Sequence, residues 1–269
     1  MSHHIPCPAK PGFNRILNIG DRGMALTGFA LLKLAAGESW SSNSAGNEIA
    51  LVVLGGTCRV QGDGFDFGVI GERPDVFSGY PFTVYIPCGR AYTVTAVSEV
   101  EVAVSESPSD LASEPVLVRP DQVSPSFMRI GTGNFTRDAV VMVGNDFATR
   151  HFFIGEAWVP SGNWASYPPH RHDADNLPDE IDMEEFYFFR FNPPGGFGIQ
   201  KVYTDDLSTD AAYTVRENDT VAIPEGYHPV VTAPGYTMYY LWVMTGANNR
   251  GFISHKDTAH AAAVAGKPA

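Results

Sequence analysis

Two histidines spaced two apart, His170 and His172, are the first residues whose types and spacing suggest chemistry. On a strand, residues i and i+2 face the same side, so both imidazoles can converge on one point. Imidazole suits zinc, iron, manganese and nickel alike. Pro168 and Pro169 stiffen the approach. A carboxylate is expected from the next strong strand, EEFYFFRF (184–191), which opens with Glu184 and Glu185. Period two places Glu184 on a face with Phe186 and Phe188, and Glu185 on a face with Tyr187 and Phe189. Both faces are aromatic, so alternation does not choose between them. A third imidazole, His228, follows Gly226 in IPEGYHPVV, where the glycine permits a tight turn before a strand begins. A lone His-x-His says little. Joined by an acid and a third histidine, in a chain with eight histidines, the set predicts one divalent metal ion. The acidic stretch between the histidines and the strand (Asp173, Asp175, Asp179, Glu180, Asp182) reads as a solvated loop, with Glu180 a minor competitor for the carboxylate position.

These groups need a frame, and the sequence is β-rich almost throughout. Short β-rich runs broken by turn residues occupy 48–62, 82–88, 92–97 and 100–107, then 152–160, 184–191, 198–204, 219–226 and 238–244. Regular short strands with turn signals predict sandwiches or barrels. VYIPCGRAYTV (84–94) and VAIPEGYHPVV (221–231) repeat one pattern, which predicts two copies of one β domain. In the first copy Arg90 and Ala91 stand near the place of His228, so that barrel is expected to lack a metal site. The expected division is a first barrel over 1–110, a linker with one short helical turn over 111–126, a metal-binding barrel over 127–250, and an alanine-rich tail over 251–269 that frays.

Composition narrows the partners. With 18 basic and 30 acidic residues the net charge is −12, which argues against nucleic acid. No apolar run approaches the roughly 18 residues that cross a membrane, and the polar, proline-containing start lacks the apolar core of a secretory signal. The three cysteines have neither metal spacing nor an even count, which points to the cytoplasm.

At these residues the chain resembles a known family. His-x-His, then Glu, then Pro-x-Gly-x-His is similar to the two cupin motifs. RIGTGNFTRDAV (129–140), YPPHRHD (167–173), GGFGIQKVYTDD (195–206) and GYHPVVTAPGYTMYYLWVMTG (226–246) resemble the 5-deoxyglucuronate isomerases of myo-inositol catabolism, a sister family to the 5-keto-4-deoxyuronate isomerases of pectin breakdown. The likeness covers most of the second half and, more weakly, the first. It implies an all-β bicupin fold: two tandem cupin-type β-barrels, each a double-stranded β-helix. It implies an aldose–ketose isomerase converting 5-deoxy-D-glucuronate to 2-deoxy-5-keto-D-gluconate with zinc or manganese. The implied ligands are His170, His172, Glu184 and His228. Glu184 is taken because Met183-Glu184 matches the sister family's Met-Glu-aromatic context, although the insertion before it is longer than the usual spacing.

Such a reaction moves a hydrogen between C1 and C2, through an enediolate or a hydride shift. Four protein ligands leave two positions on an octahedral ion for substrate oxygens, and a base shuttles the proton. Glu185, Tyr203 and Tyr240 are the expected candidates for that base. Arg190, which shares parity with Glu184, together with Lys201 and Arg250, is expected to hold the substrate carboxylate; Arg137 suits a structural or interface role equally. The competing readings are a non-haem metal dioxygenase on the same fold and a non-catalytic bicupin that binds a sugar acid. A homodimer is the default assembly.

Overall fold

Strands account for nearly all regular structure in the computed structural model, which describes residues 2–7 and 9–265. They sort into two larger sheets, each facing a smaller four-stranded one. In the first half, Val116–Val118, Thr83–Ile86, Asn47–Gly55, Val100–Pro108, Gly28–Leu34 and Gly12–Leu17 lie side by side. Opposite them are Ser39–Asn43, Ala91–Ala96, Cys58–Gly62 and Phe65–Ile70. In the second half the larger sheet runs Thr220–Ile223, Glu184–Asn192, Thr237–Thr245, Phe152–Val159, Arg137–Val143, Met128–Ile130. The smaller one holds Trp164–Ala165, Val230–Thr232, Gly198–Tyr203 and Asp210–Val215.

Both larger sheets are buried on both faces, which is why their strands read as continuous apolar runs. Leu32, Leu51, Val84 and Val102 fill the first barrel, while Leu31, Val52 and Ala103 turn outward. Those outward residues meet Val140, Ile154, Phe186, Phe188, Tyr239 and Leu241 of the second half in one shared core between the barrels. Tyr187, Phe189, Tyr240 and Trp242, on the opposite faces of the same strands, fill the second barrel. A buried ion pair crosses the seam. Arg73 donates to both carboxylate oxygens of Glu156 at 2.9 and 2.6 Å, and the Tyr239 hydroxyl donates to Glu156 at 2.7 Å.

Three segments depart from the expected division. His4–Ile5 pairs with Thr220–Ile223, so the start of the chain extends the second barrel's sheet. Val116–Val118, inside the expected linker, adds to the edge of the first barrel's sheet beside Thr83–Ile86. The tail is not frayed over its described part. His255–Lys256 pairs with His170–Arg171, and a helix follows over Thr258–Val264. Asp257 caps that helix, accepting from Ala259 N–H and His260 N–H. Residues 266–269 lie outside the described residues. No described helix is long and apolar enough to cross a membrane.

Candidate metal centre and its cavity

The strand Glu184–Asn192 decides which glutamate faces the histidines. Phe186 and Phe188 lie in the core between the barrels, whereas Tyr187 and Phe189 lie inside the second barrel. By the same alternation Glu184 points to the seam and Glu185 into the barrel. The structure thus turns Glu184, the expected ligand, away from the imidazoles and places Glu185 beside them. The Glu184 carboxylate accepts from Ala25 N–H (2.5 Å), Leu26 N–H (2.9 Å) and the Thr27 hydroxyl (2.6 Å), all in the first half. Glu48 does the reciprocal job, accepting from Arg150 N–H, His151 N–H and the Thr149 hydroxyl, each at 2.8 Å. The two positions are equivalent, since Ile49 pairs with Ile86 as Glu185 pairs with Ile223. The first barrel thus carries Ile49 and Ala91 where the second carries Glu185 and His228. Among the described residues, the group with metal-ligand spacing is His172, Glu185 and His228, all buried.

The Nε2 atoms of His172 and His228 each lie 3.2 Å from one Glu185 carboxylate oxygen. On the far side of each ring Nδ1 donates to a backbone carbonyl, His172 to Met183 and His228 to Gly226 (2.8 Å). That fixes the tautomer that leaves Nε2 with a lone pair facing the carboxylate. Three electron-pair donors therefore converge with too few protons among them, and His228 Nε2 is buried with no hydrogen-bond partner. A cation answers this arrangement. Burial works against charge on both groups, yet the hydrogen bond and charge of Glu185 raise His172 above its ordinary pKa, and His172 and His228 hold Glu185 below its own. A proton on Nε2 is one such cation, and a divalent ion suits the same donor set better. The ring of His170 sits 4.8 Å from that of His228 and 6.3 Å from that of His172, beside the group but outside its closest spacing. Burial, then the two other imidazoles and Arg137, lowers its pKa well below the usual value.

Local contacts hold the donors in register across the long insertion. Met183 N–H donates to the His172 carbonyl at 2.8 Å, bringing the loop back beside the strand that carries Glu185. Both Asp173 oxygens accept from Gly226 N–H at 2.9 Å, tying the His172 segment to the turn before His228. Gly226 has φ +96°, and a Cβ there would approach the Tyr203 carbonyl oxygen to 2.8 Å, so the turn requires glycine. Gln200 donates to the His228 carbonyl at 2.6 Å. Glu180, the minor competitor, accepts from Asp173 N–H at 2.8 Å and faces Arg171; it organises the acidic loop.

A cavity of about 430 Å³ opens onto this group, with His170, His172 and Glu185 among its lining residues. His228 is fully buried and is not among the lining residues. Of the expected catalytic and substrate residues, Glu185 and Tyr240 line the cavity and four others do not. Arg190 lies on the Glu184 face, held by Glu101 (2.6 Å) and Glu217 (3.1 Å). Lys201 pairs with Asp210 at 2.5 Å, and Tyr203 donates to Asp257 at 2.8 Å. Both line a separate groove. Arg250 donates to the carbonyls of Phe152 (2.9 Å) and Phe147 (3.1 Å). Sequence reasoning passed over Tyr187, which stacks on Tyr240 with centroids 4.4 Å apart and shares a 2.8 Å hydrogen bond with Ser166. It also passed over the tail, whose Phe252, Ile253 and Lys256 form one wall. Burial, reinforced for Tyr187 by the Glu185 charge, pushes both phenols above their ordinary pKa, so both stay protonated at neutral pH.

Known proteins share this fold and sequence. A 5-deoxy-glucuronate isomerase of Geobacillus kaustophilus is 38% identical over 239 residues, spanning 88% of this chain and 86% of its own length. One from Bacillus velezensis is 34% identical over 267 residues, or 97% of this chain and 98% of its own. The crystal structure of an IolB-like protein from Salmonella typhimurium superposes with a TM-score of 0.91 at 32% identity, covering 96% of this chain and 97% of that one. Oxalate decarboxylase of Bacillus subtilis, at 11% identity over 90% of this chain and 75% of its own, shares the fold alone, with a TM-score of 0.62. These neighbours agree with the all-β bicupin architecture. The profile of the KduI/IolB family matches residues 6–263, and the chain belongs to that family.

Proposed function

We propose that this chain is a metal-dependent aldose–ketose isomerase converting 5-deoxy-D-glucuronate to 2-deoxy-5-keto-D-gluconate in myo-inositol catabolism. The observation that carries this reading is the meeting of His172 Nε2, His228 Nε2 and a Glu185 carboxylate oxygen beside a cavity of sugar size that His172 and Glu185 line. It gains weight from 38% identity, over 88% of the chain, to an enzyme named for that substrate. Those three residues would hold one divalent ion, zinc or manganese, with His170 beside them as the fourth ligand. When bound, the ion polarises the sugar carbonyl and the neighbouring hydroxyl. Glu185 thereby moves from proton shuttle to ligand. Tyr187 and Tyr240 bring neutral hydroxyls to the cavity, able to donate to sugar oxygens as charge develops there. The apolar wall of Trp242, Met244 and Phe252 limits water around the reacting carbons.

The test is product identification. Protein supplied with zinc or manganese is expected to convert the aldose to the ketose, followed by NMR of the C1 and C2 protons. Conversion of oxygen-free samples at an undiminished rate separates isomerisation from dioxygenase chemistry. Binding of the sugar acid with no turnover, metal present, refutes the isomerase.

A further inference from the structure

We infer that Arg137 receives the carboxylate of the substrate and so sets a preference for a sugar acid over a neutral sugar, an inference that rests on the isomerase reading above. Arg137 opens the strand Arg137–Val143 on its inward face. Ala139 and Val141, two and four residues on, pack in the second barrel's core, while Asp138 turns away to accept from Arg129 at 2.7 and 2.8 Å. The guanidinium lines the cavity shared with His170, Tyr187 and Tyr240, and its charge reaches all three side chains.

Arg137 also has no counter-ion among the described residues, whereas Arg15, Arg59, Arg73, Arg129, Arg171 and Arg190 each hold a carboxylate. Arg22, Arg119, Arg216 and Arg250 also form no ion pair among the described residues, but of these five arginines Arg137 is the one that lines the cavity. A half-buried cation without a partner is costly, and an incoming carboxylate relieves that cost. The guanidinium fork matches a carboxylate with two parallel hydrogen bonds. The other cation on the cavity, Lys256, is exposed at the rim, across from His170 on the paired strand. It lacks the fork geometry and stays hydrated.

The experiment compares wild type, Arg137→Met, Arg137→Lys and Lys256→Met. The substrates are 5-deoxy-D-glucuronate and the neutral aldose bearing a hydroxymethyl group in place of the carboxylate. Arg137→Met is expected to lose about 100-fold in kcat/KM on the acid, chiefly through KM, and to stay within about threefold of wild type on the neutral sugar. Arg137→Lys should recover part of the loss, whereas any loss in Lys256→Met should be smaller and equal on the acid and the neutral sugar. Metal content and thermal unfolding serve as controls for the fold. Equal losses on both substrates, no loss on the acid, or a loss that follows Lys256→Met instead would overturn the assignment. Calorimetric binding of D-glucuronate is read in parallel. If wild type with metal binds this acid but turns over neither sugar, the isomerase reading fails. The Arg137 assignment still stands or falls on whether Arg137→Met weakens binding about 100-fold.

Discussion

Replacing the two adjacent glutamates one at a time separates the two jobs that strand alternation assigns them. Glu184→Gln keeps the volume but removes the charge that accepts from Ala25 N–H, Leu26 N–H and the Thr27 hydroxyl. Hydrogen bonds to a charged group contribute about 1.5–3 kcal/mol each, and the amide keeps one acceptor oxygen, so the net loss is about 2–4 kcal/mol. At roughly 2–4 °C per kcal/mol in a protein of this size, Tm falls by about 4–16 °C. Metal content, and turnover below the new Tm, stay within a few-fold of wild type. Glu185→Gln does the opposite. It takes the anion from between two imidazole lone pairs. The loss of metal affinity should exceed the ~100-fold upper range for an outer-shell partner, and activity goes with it. Elemental analysis per chain, thermal unfolding with chelator and initial rates give the readout. Metal lost from Glu184→Gln and retained by Glu185→Gln would refute the register argument.

Other outcomes follow from the same contacts. Arg73→Met leaves the Glu156 carboxylate buried with its bidentate partner gone, and should cost about 3–5 kcal/mol in chemical unfolding; a cost under about 1 kcal/mol would show that the seam does not depend on this pair. Burial works to raise the pKa of Glu101, but Arg190 and Lys33 hold it below the ordinary 4.5. Its contribution is therefore present above about pH 4.5 and is lost as pH falls through the lower folded value, so wild type should lose stability faster than Glu101→Gln on acidification. Parallel unfolding curves at pH 6 and pH 3.5 would contradict that. Ending the chain after Gly251, which keeps Arg250 and its hydrogen bonds, removes Phe252, Ile253, Lys256 and the strand paired with His170–Arg171; kcat/KM should fall about 100-fold, and unimpaired turnover would show that this wall is dispensable.

The β character, the Ile-Pro-x-Gly repeat and the positions of His172 and His228 are legible in the sequence because each rests on a local rule: strand alternation, turn chemistry and imidazole spacing. The choice of glutamate is not. Glu184–Asn192 is sandwiched between its own barrel and the neighbouring one, so both faces are apolar and the usual polarity cue is missing. A cue did exist in the repeat. The first half also places a glutamate, Glu48, ahead of the apolar run that pairs with its Ile-Pro-x-Gly strand, and in a barrel lacking His228's counterpart that acid is structural. Arg190 has the parity of Glu184 and shares its face, but that face is the seam. The tail's role depends on pairing with a segment some 85 residues earlier, His170–Arg171, and no local pattern announces such a contact.

One ion held by His172, Glu185 and His228 would supply the chemistry of the proposed isomerase. The most direct test is a titration of metal-stripped protein with manganese or zinc, reading bound ion and 5-deoxy-D-glucuronate turnover on the same samples. Turnover should be absent at the start, rise in proportion to bound metal and level off at one ion per chain. Full turnover in protein shown to hold no metal would contradict it.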